Sequence, residues 1–492
     1  MASSRKRRPK ADPLERLLWA AVKSTVDDAL SGQAPARRVG RSRARTDAPL
    51  VVAYSGGRDS TALLALVCAL RDARAPGFGR PLAVHVHHGL HRDADSWVEH
   101  CQRTCAALNV ELAVRRVRVE RRGLGLEAAA REARYRALEQ AARELGAVAV
   151  LTAHHLDDRL ETFLLQWMRG AGLEGLAGMA REREMDANVG DATGQRAPIA
   201  LLRPLLNVPR ERIERYVRSK ALDFVDDPSN ADVRFERNAI RLRVMPELAR
   251  LRSGFRGAAE RSIELIAEGA QVLRSVARED LQDCTRDAPA SMLRIDRLSM
   301  LPEARRMLVL REWLSQAGLP APPRARLVEA ARQAIHAGAD ARLLVRIGEY
   351  ELRRHRGLLC LNAPRRGAPA QHTLRWNGEH ELPVPGWGGA LVFTPTSDEG
   401  FDARWLESEP LELRPRTGGE RFKPHPTRPS KRLKQIFQEA RIPEYERSGL
   451  PLVWRDGRLI YVAGVGADAR MLVDEGDRIR IDWIGSAPLL RE

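Results

Sequence analysis

The chain has few of the features that mark secreted or membrane proteins. Its 492 residues include only five cysteines, an odd number without a disulfide-like array, which is typical of a reducing compartment. No apolar stretch reaches a membrane-spanning length. The basic N-terminus, which includes Lys6 and Lys10, lacks the apolar core of a secretory signal. These absences predict a cytoplasmic protein with no membrane partner and with a solvated basic extension over residues 1–48.

Lysine is scarce as well, with seven residues against 75 arginines. Basic residues exceed acidic ones by 82 − 65 = 17, which favours a polyanionic partner such as nucleic acid. Arginine abundance alone would also produce this excess, so the placement of lysine is more specific. Three of the seven lysines lie within residues 423–434 beside three arginines. We therefore predict a nucleic-acid-binding segment that contains Arg421, Lys423, Arg428, Lys431, Arg432 and Lys434.

A short glycine-containing loop joins an apolar strand to an apolar helical stretch near residue 55. The loop reads Ser55-Gly56-Gly57-Arg58-Asp59-Ser60. Glycines allow backbone N–H groups to approach an anion, and the helix that follows presents its positive end. The loop lacks the lysine and the spacing of a Walker A motif. It resembles the PP-loop of ATP pyrophosphatases, and the alternative is a strand-to-helix turn without a ligand.

Apolar strands alternate with helical stretches from residue 50 to about 168. The predicted strands cover 51–55, 82–87, 112–119 and 148–153, and the predicted helices begin at Thr61, Ala94, Leu126 and Asp158. This alternation predicts an α/β fold with a parallel sheet, whose ligands bind at the carboxyl ends of the strands. Residues 181–199 are polar and contain glycine, which predicts a flexible insert.

The rest of the chain changes character twice. Amphipathic helices followed by alternating stretches predict a mainly helical domain with a small sheet over 250–365, after the α/β domain over 49–247. Residues 366–405 are rich in Gly, Pro and Trp and are predicted to be a linker. Short strand-like runs around Leu411, Leu452 and Leu459 predict a β-containing C-terminal domain over 406–492.

A second group of polar residues follows the predicted fourth strand. His154 ends this strand, and Asp158 and Glu161 lie three residues apart at the start of the next helix, so they share one face. Paired carboxylates beside a triphosphate can hold Mg²⁺ or accept a proton from an amine. An acidic pair at a helix start is also a common cap. The helix ends in Arg169-Gly170 and a glycine-rich exit.

These motifs, in this order, resemble tRNA(Ile)-lysidine synthetase in its long form, a family of the PP-loop superfamily. The resemblance covers about four-fifths of the chain. Further matching blocks contain Glu127, Ala130, Arg131, Arg134 and Tyr135; Arg203-Pro204-Leu205-Leu206; Arg237, Asn238 and Arg241; and residues 416–453. One block departs from the family, because His87-His88-Gly89-Leu90-His91 replaces its usual Asp-His-Gly-Leu-Arg. This departure puts a nucleotide-side role for His87 in doubt. The extra histidines with Cys101 and Cys105 lack the compact spacing of a zinc site.

The resemblance implies that ATP activates O2 of the wobble cytidine in the CAU-anticodon isoleucine tRNA, and that free L-lysine then displaces AMP. It implies ATP and Mg²⁺ as cofactors and leaves a homodimer open. It also implies a PP-loop catalytic domain over 49–247, a tRNA-binding domain over 250–365 and a tRNA-recognition domain over 406–492. The implied catalytic residues are Asp59, Asp158, Glu161 and Arg237, with Arg203 as a second candidate for stabilising charge on AMP, and the implied metal ligands are Asp59 and Asp158. The implied ATP-binding residues are Ser55, Gly56, Gly57, Arg58, Asp59, Ser60, His154, Arg169 and Gly170. The alternatives are a PP-loop tRNA thiolase and a non-catalytic tRNA-binding protein.

Overall fold

The computed structural model describes residues 12–31, 48–89, 91–120, 125–185, 199–286, 288, 292–319, 321–336, 343–347, 350–355, 357–362, 369–442 and 444–485. The chain divides into two compact units, Met1–Val272 and Leu273–Glu492. Residues 1–11 and 32–47 of the predicted basic extension and residues 186–198 of the predicted insert lie outside the described residues.

The first unit is built on a six-stranded sheet with the strand order β3-β2-β1-β4-β6-β5. Its strands are β1 (Leu50–Ala53), β2 (Pro81–His87), β3 (Glu111–Arg116), β4 (Ala149–Leu151), β5 (Glu182–Met185) and β6 (Ile199–Leu202). Neighbouring strands pair in parallel, except that β5 runs antiparallel to β6 at the sheet edge. The predicted α/β fold with a parallel sheet is therefore confirmed.

Helices cover both faces of this sheet. The first seven are α1 (Pro13–Ser31), α2 (Arg58–Asp72), α3 (Ala94–Ala107), α4 (Leu126–Glu144), α5 (Leu156–Met168), α6 (Leu173–Leu176) and α7 (Arg210–Ser219). Leu18 of α1, Leu64 of α2 and Ile213 of α7 belong to one buried core. Val51 of β1 and Leu138 of α4 belong to another. Because β1 and β4 carry apolar residues on both faces, they suit the centre of such a sheet.

Short helical pieces follow α7 and lead into a long helix. They are a 3₁₀ turn at Pro228–Ala231, α8 (Glu236–Ala239), a π-helical turn at Ile240–Val244 and α9 (Met245–Leu251), before α10 (Phe255–Thr285). π-helical turns are rare and occur often at functional sites. This one contains Arg241, whose side chain enters the site described below.

Two parts of the first unit differ from the sequence predictions. Residues 13–31 of the predicted basic extension form α1, whose Leu18, Val22 and Val26 are buried in the core. The predicted flexible insert contains β5, which is hydrogen-bonded to β6. Both segments gain their order from contacts with residues distant in the chain, which local polarity does not reveal.

The second unit begins with a helical region and a small sheet. The antiparallel sheet has the order β7-β10-β9-β8, with β7 (Met292–Arg294), β8 (Leu344–Ile347), β9 (Tyr350–His355) and β10 (Leu358–Asn362). It shares a core with α11 (Ile295–Met300), α12 (Glu303–Gln316) and α13 (Arg324–His336). Leu310 and Leu327 of these helices are buried in that core with Leu359 of β10.

The C-terminal region contains two larger sheets and one strand pair. Their orders are β11-β15-β18-β19-β20, β12-β13-β21-β14 and β16-β17. The strands are β11 (His372–Leu374), β12 (Glu381–Val384), β13 (Gly389–Pro395), β14 (Phe401–Asp402), β15 (Leu411–Arg414), β16 (Arg421–Phe422), β17 (Lys431–Arg432), β18 (Leu452–Arg455), β19 (Arg458–Val462), β20 (Gly466–Ala467) and β21 (Arg478–Gly485). The helices are α14 (Ala403–Ser408), α15 (Leu433–Glu439) and α16 (Glu444–Arg447).

The prediction of a linker over 366–405 does not hold for its described part. Strand β11 pairs with β15, and β13 pairs with β21. Trp376 and Phe393 are buried in the same core as Leu413 and Trp483. This segment is therefore part of the C-terminal fold.

No helix within the described ranges is both long and apolar enough to cross a membrane.

Candidate active site

The loop after β1 is held in an open turn by its own side chains. Gly56 has φ +82°, and a Cβ atom there would lie 3.0 Å from Cys101 Sγ, so the turn favours glycine. Ser60 Oγ donates to the Gly57 carbonyl at 2.9 Å and lies 3.0 Å from Ser55 Oγ. These contacts fix both serine hydroxyls at the mouth of the loop.

The loop leads directly into the N-terminus of α2. This helix begins at Arg58, earlier than predicted. Its N-cap residue is Gly57, which makes no side-chain hydrogen bond to the first turn. The first N–H groups of a helix have no partner within it and carry the positive end of the helix dipole. The loop and the first turn of α2 together therefore present an arrangement of donors that suits a phosphate, the ligand predicted for this loop.

Asp59 lies in the first turn of α2 and faces His155 at the start of α5. His155 Nε2 is 3.5 Å from Asp59 Oδ2, and His155 Nδ1 is 3.4 Å from Asp158 Oδ2. Burial favours the neutral form of Asp59, but the hydrogen bond and charge of His155, with the charge of Arg58, outweigh it and lower the Asp59 pKa. Burial opposes the charge on His155, but Asp158 and Asp59 outweigh it and raise the His155 pKa. The histidine thus links the two predicted acidic sites.

The Nδ1 atom of His155 lies close to two groups of Asp158, one a hydrogen-bond donor and the other an acceptor. It is 3.4 Å from both the Asp158 amide, which requires an acceptor, and the Asp158 carboxylate, which requires a donor. The Asp158 amide donates to Nδ1 in the capping box of α5, so Nε2 is the ring nitrogen that can donate to Asp59 Oδ2. The His155 backbone N–H donates in turn to Asp158 Oδ2, so His155 joins the loop to α5.

Asp158 and Glu161 form a four-residue ion-pair cluster with two arginines. Arg237 donates to Glu161 Oε2 and to Asp158 Oδ1, each at 2.8 Å. Arg241 donates to Glu161 Oε1 at 2.6 Å and Oε2 at 2.9 Å, and its Nη2 is 3.4 Å from Asp158 Oδ1. Glu161 is only 1% exposed. The structure thus brings together three predicted catalytic residues and Arg241.

This pairing changes what the two carboxylates can do. Burial would raise the Asp158 pKa, but the charges of His155 and Arg237 outweigh it and hold the pKa below its usual range. A carboxylate with a lowered pKa is a weak base. The predicted proton-accepting role is therefore disfavoured for Asp158, and Glu161 is fully engaged by guanidinium groups.

The predicted metal ligands differ in their fit to Mg²⁺. The side chain of Asp59 is partly exposed, and its Oδ1 lies 3.5 Å from Arg58 Nε. Mg²⁺ bound to phosphates commonly takes one or two carboxylates from the protein, and the Asp59 carboxylate could be such a ligand. Both oxygens of Asp158 already accept hydrogen bonds, from Arg237 and from the His155 amide. The residues present thus fit a metal at Asp59 and do not fit one at Asp158.

His154, the other predicted residue at this strand end, is buried beside a basic region. Its Nδ1 is 2.9 Å from Thr152 Oγ1. Burial, with the nearby charges of Arg203, Arg134 and Arg131, lowers the His154 pKa to about 3 although Asp158 opposes the shift. His154 is therefore neutral near pH 7 and stands between the ion-pair cluster and these arginines.

Three predicted ATP-binding residues, Arg58, Arg169 and Gly170, remain to be located relative to the loop. Arg58 makes an ion pair with Glu214 at 2.9 Å. Arg169 makes an exposed ion pair with Glu236 at 2.6 Å, and Gly170 has φ +68° at the exit from α5. Among the described residues, no hydrogen bond joins Arg169 or Gly170 to the loop, and their predicted role is untested.

The predicted nucleic-acid-binding segment surrounds the strand pair β16-β17. Arg421 donates to the Ser430 carbonyl at 2.7 Å, and Lys431 pairs with Glu439 at 2.6 Å. Arg428, Arg432 and Lys434 are exposed, and Lys423 is half-buried. The hairpin is anchored by the buried Phe422, so it presents basic side chains on an ordered backbone.

Sequence reasoning missed three features of the site. The bridging position of His155 and the engagement of Arg241 depend on contacts across the fold. Arg183 lies over the Tyr135 ring at 5.0 Å although it belongs to the predicted insert. The sequence did contain a signal for Arg241. Arg237 and Arg241 are four residues apart in the Arg-Asn-x-x-Arg element, and residues at this spacing share a helix face, so both guanidinium groups could have been predicted to reach the same site.

Three family profiles match successive parts of the chain. A PP-loop domain matches residues 32–248, a TilS substrate binding domain matches 293–360, and a TilS substrate C-terminal domain matches 411–483. The first match supports the use of ATP. A solved U34-tRNA thiolase, NcsA from Methanococcus maripaludis, covers 51% of this chain and 80% of its own, with 14% identity and a TM-score of 0.38. That similarity is too low to carry a functional argument.

Curated relatives match over nearly their full length. The tRNA(Ile)-lysidine synthase of Ralstonia nicotianae is 43% identical over 453 residues, which cover 88% of this chain and 92% of the relative. The enzyme of the same name from Chromobacterium violaceum is 39% identical over 429 residues, which cover 86% and 93%. By this similarity, which extends across the loop, the ion-pair cluster and the C-terminal region, the chain belongs to the tRNA(Ile)-lysidine synthase family.

Proposed function

We propose that this protein is an ATP-dependent ligase that joins L-lysine to C2 of the wobble cytidine in the CAU-anticodon isoleucine tRNA. The observation that carries the proposal is the link through His155 between Asp59 of the phosphate loop and Asp158 of the ion-pair cluster. This link supports the proposal, because it joins the loop that would hold the nucleotide to a second charged group. Membership of the lysidine synthase family supplies the substrate class.

In the first step, O2 of the cytidine attacks the α-phosphorus of ATP, and the bond to the departing pyrophosphate breaks. The loop serines and the N–H groups at the start of α2 hold the pyrophosphate. Asp59 would hold Mg²⁺, which would neutralise charge on the phosphates. The product is a cytidine whose O2 carries AMP, and AMP is a good leaving group.

In the second step, the ε-amine of lysine attacks C2, and the bond from C2 to the AMP oxygen breaks. The amine must be neutral, although it is mostly protonated near pH 7. Asp158 and Glu161 hold the guanidinium groups of Arg237 and Arg241 in place beside the reacting atoms, and the fraction of the amine that is neutral attacks. Arg237 is the candidate for contact with the AMP phosphate.

The remaining partners follow from the same proposal. The basic hairpin around β16-β17 contacts the tRNA phosphates, and the enzyme acts in the cytoplasm, where tRNA, ATP and free lysine are available. A homodimer stays a prediction, and light scattering of the purified protein distinguishes it from a monomer.

The chain fits the alternative of a tRNA thiolase less well. Sulfur transfer needs a reactive thiolate, yet Cys101 and Cys105 are almost fully buried. Burial raises the pKa of each to about 12, so both are neutral thiols near pH 7. Cys101 instead lies behind the loop at Gly56.

The test is lysine-dependent release of AMP from ATP with a transcript of the CAU-anticodon isoleucine tRNA. We expect AMP release only when tRNA, ATP and lysine are all present. Asp59→Asn should abolish adenylate formation and leave tRNA binding unchanged, because it removes the metal ligand but no RNA contact. Failure of the wild-type protein to release AMP would overturn the proposed function, and wild-type turnover by Asp59→Asn would overturn the metal assignment.

A further inference from the structure

A cluster of four arginines surrounds one tyrosine beside the candidate active site. The guanidinium carbons of Arg131, Arg134 and Arg183 lie 5.1, 5.4 and 5.0 Å from the centre of the Tyr135 ring. Arg203 shares a hydrogen bond with the same tyrosine. Helix α4 and strand β5 supply the first three residues, and Arg203 directly follows β6. We refer to these four arginines and Tyr135 as the arginine cluster.

No carboxylate among the residues that the structure describes pairs with the cluster. None of the ion pairs among the described residues joins any of the four arginines to a carboxylate. Arg203 is 4% exposed and donates to the Ala180 carbonyl at 2.6 Å, but its buried Nε has no hydrogen-bond partner in the described part of the chain. Buried arginine groups ordinarily satisfy their donors, so Arg203 is incompletely paired within the described residues.

The arginines also repel one another. Arg131, Arg134 and Arg183 all lie within 5.4 Å of one ring centre, so no two of these guanidinium carbons are more than 2 × 5.4 = 10.8 Å apart. The Debye length is about 10 Å at 0.1 M salt, so repulsion between charges at such separations is only partly screened. An arrangement of this kind is relieved by binding an anion, and guanidinium groups match phosphate oxygens in geometry.

The cluster extends from the active site towards solvent. Its inner end is near His154, whose pKa is lowered by burial and by the charges of Arg203, Arg134 and Arg131. Its outer end is formed by Arg131 and Arg183, which are exposed. A row of positive groups from a buried strand end to the surface fits an extended polyanion that enters the site. Free lysine also carries an α-carboxylate that one arginine could bind, but a single carboxylate does not span a row of four guanidinium groups. The triphosphate of ATP already has the loop at residues 55–60.

We propose that the arginine cluster binds the phosphodiester backbone of single-stranded RNA next to the reacting base. The proposal rests on the proposed function, because it takes an RNA loop as the substrate. Proteins read such loops by extruding bases while cationic side chains hold the backbone. Tyr135 positions the guanidinium groups of Arg131 and Arg203 through its hydroxyl group.

The test measures binding of the full chain to the isoleucine tRNA transcript across a series of KCl concentrations. Arg131→Ala and Arg183→Ala should each weaken binding about tenfold, as for loss of one charged contact. Each should reduce the slope of log Kd against log salt by about 0.7. Arg136→Ala is the matched control on α4, because Arg136 is adjacent to Tyr135 in sequence but pairs with Glu132 at 3.0 Å. It should change neither quantity.

Kinetics separate the proposal from other roles of the cluster. The KM for tRNA should rise in Arg131→Ala and Arg183→Ala, while the KM values for ATP and lysine stay at the wild-type level. Unchanged tRNA binding, or an increase confined to the KM of ATP or lysine, would overturn the proposal. Thermal melting identifies any variant that fails to fold, and Arg183→Lys, which keeps the charge, should then retain most of the salt slope. The binding measurement needs no turnover, so it gives a result even if AMP release is absent.

Discussion

Replacing Glu161 by alanine tests whether the ion-pair cluster holds the active site together. Glu161 is 1% exposed and accepts hydrogen bonds of 2.8, 2.6 and 2.9 Å from Arg237 and Arg241. Removing one partner of a buried pair leaves uncompensated charge and costs about 3 to 5 kcal/mol. The arginine side chains are 24% and 22% exposed, so water relieves part of this cost, and we expect the lower limit, about 3 kcal/mol.

Hydrogen exchange measured by mass spectrometry gives the local free energy of opening. Peptides that cover α5 and the π-helical turn should exchange roughly a hundredfold faster in Glu161→Ala, since each 1.4 kcal/mol is tenfold. The control is Glu132→Ala, which removes an exposed pair with Arg136 and should cost below about 0.5 kcal/mol. Equal exchange rates in the two variants would refute the reasoning that burial makes the Glu161 pairs strong.

Three further predictions concern the loop, the basic hairpin and a buried aspartate. Gly56→Ala should reduce ATP binding and thermal stability, because Gly56 has φ +82° and the new Cβ would lie 3.0 Å from Cys101 Sγ. Gly57→Ala is the control and should have a smaller effect, because Gly57 has φ −73°. Equal effects of the two substitutions would contradict the strain argument. Lys431→Ala with Lys434→Ala should weaken tRNA binding and flatten its salt dependence, and an unchanged slope would exclude that contact. Burial favours the neutral form of Asp468, but hydrogen bonds from Arg470 and from the Lys423 amide outweigh it and lower the Asp468 pKa. Its stabilising contribution is therefore present above pH 3.8 and lost as the pH falls through the lower folded value, so Asp468→Asn should make acid unfolding of the second unit less steep.

Much of the first unit could be predicted because its signals are local. The loop motif with its flanking strand and helix, and the alternation of strands and helices, depend on neighbouring residues alone. The position of Asp158 and Glu161 on one face of α5 follows from helix geometry. Their common contact with Arg237 agrees with this expectation.

The C-terminal region was harder to predict for a physical reason. Strands β11 to β14 lie in a Gly-, Pro- and Trp-rich stretch and become strands through partners that are distant in sequence, such as the pairing of Phe393 with Ile481. Strand propensity depends on such pairing and on burial more than on the residues themselves. Residues 13–31 became a core helix for the same reason, through contacts with α2 and α7.

The sequence by itself determined the chemistry that is available: a glycine turn that admits phosphate, an acidic residue beside it, and an excess of arginine. Only the tertiary structure decided which charges neutralise one another and which lack a partner. Arg237 and Arg241 neutralise Asp158 and Glu161, whereas the arginines around Tyr135 have no carboxylate among the described residues. Charge pairing depends on distances of a few ångströms between segments far apart in the chain, and folding sets those distances through the burial of apolar surface.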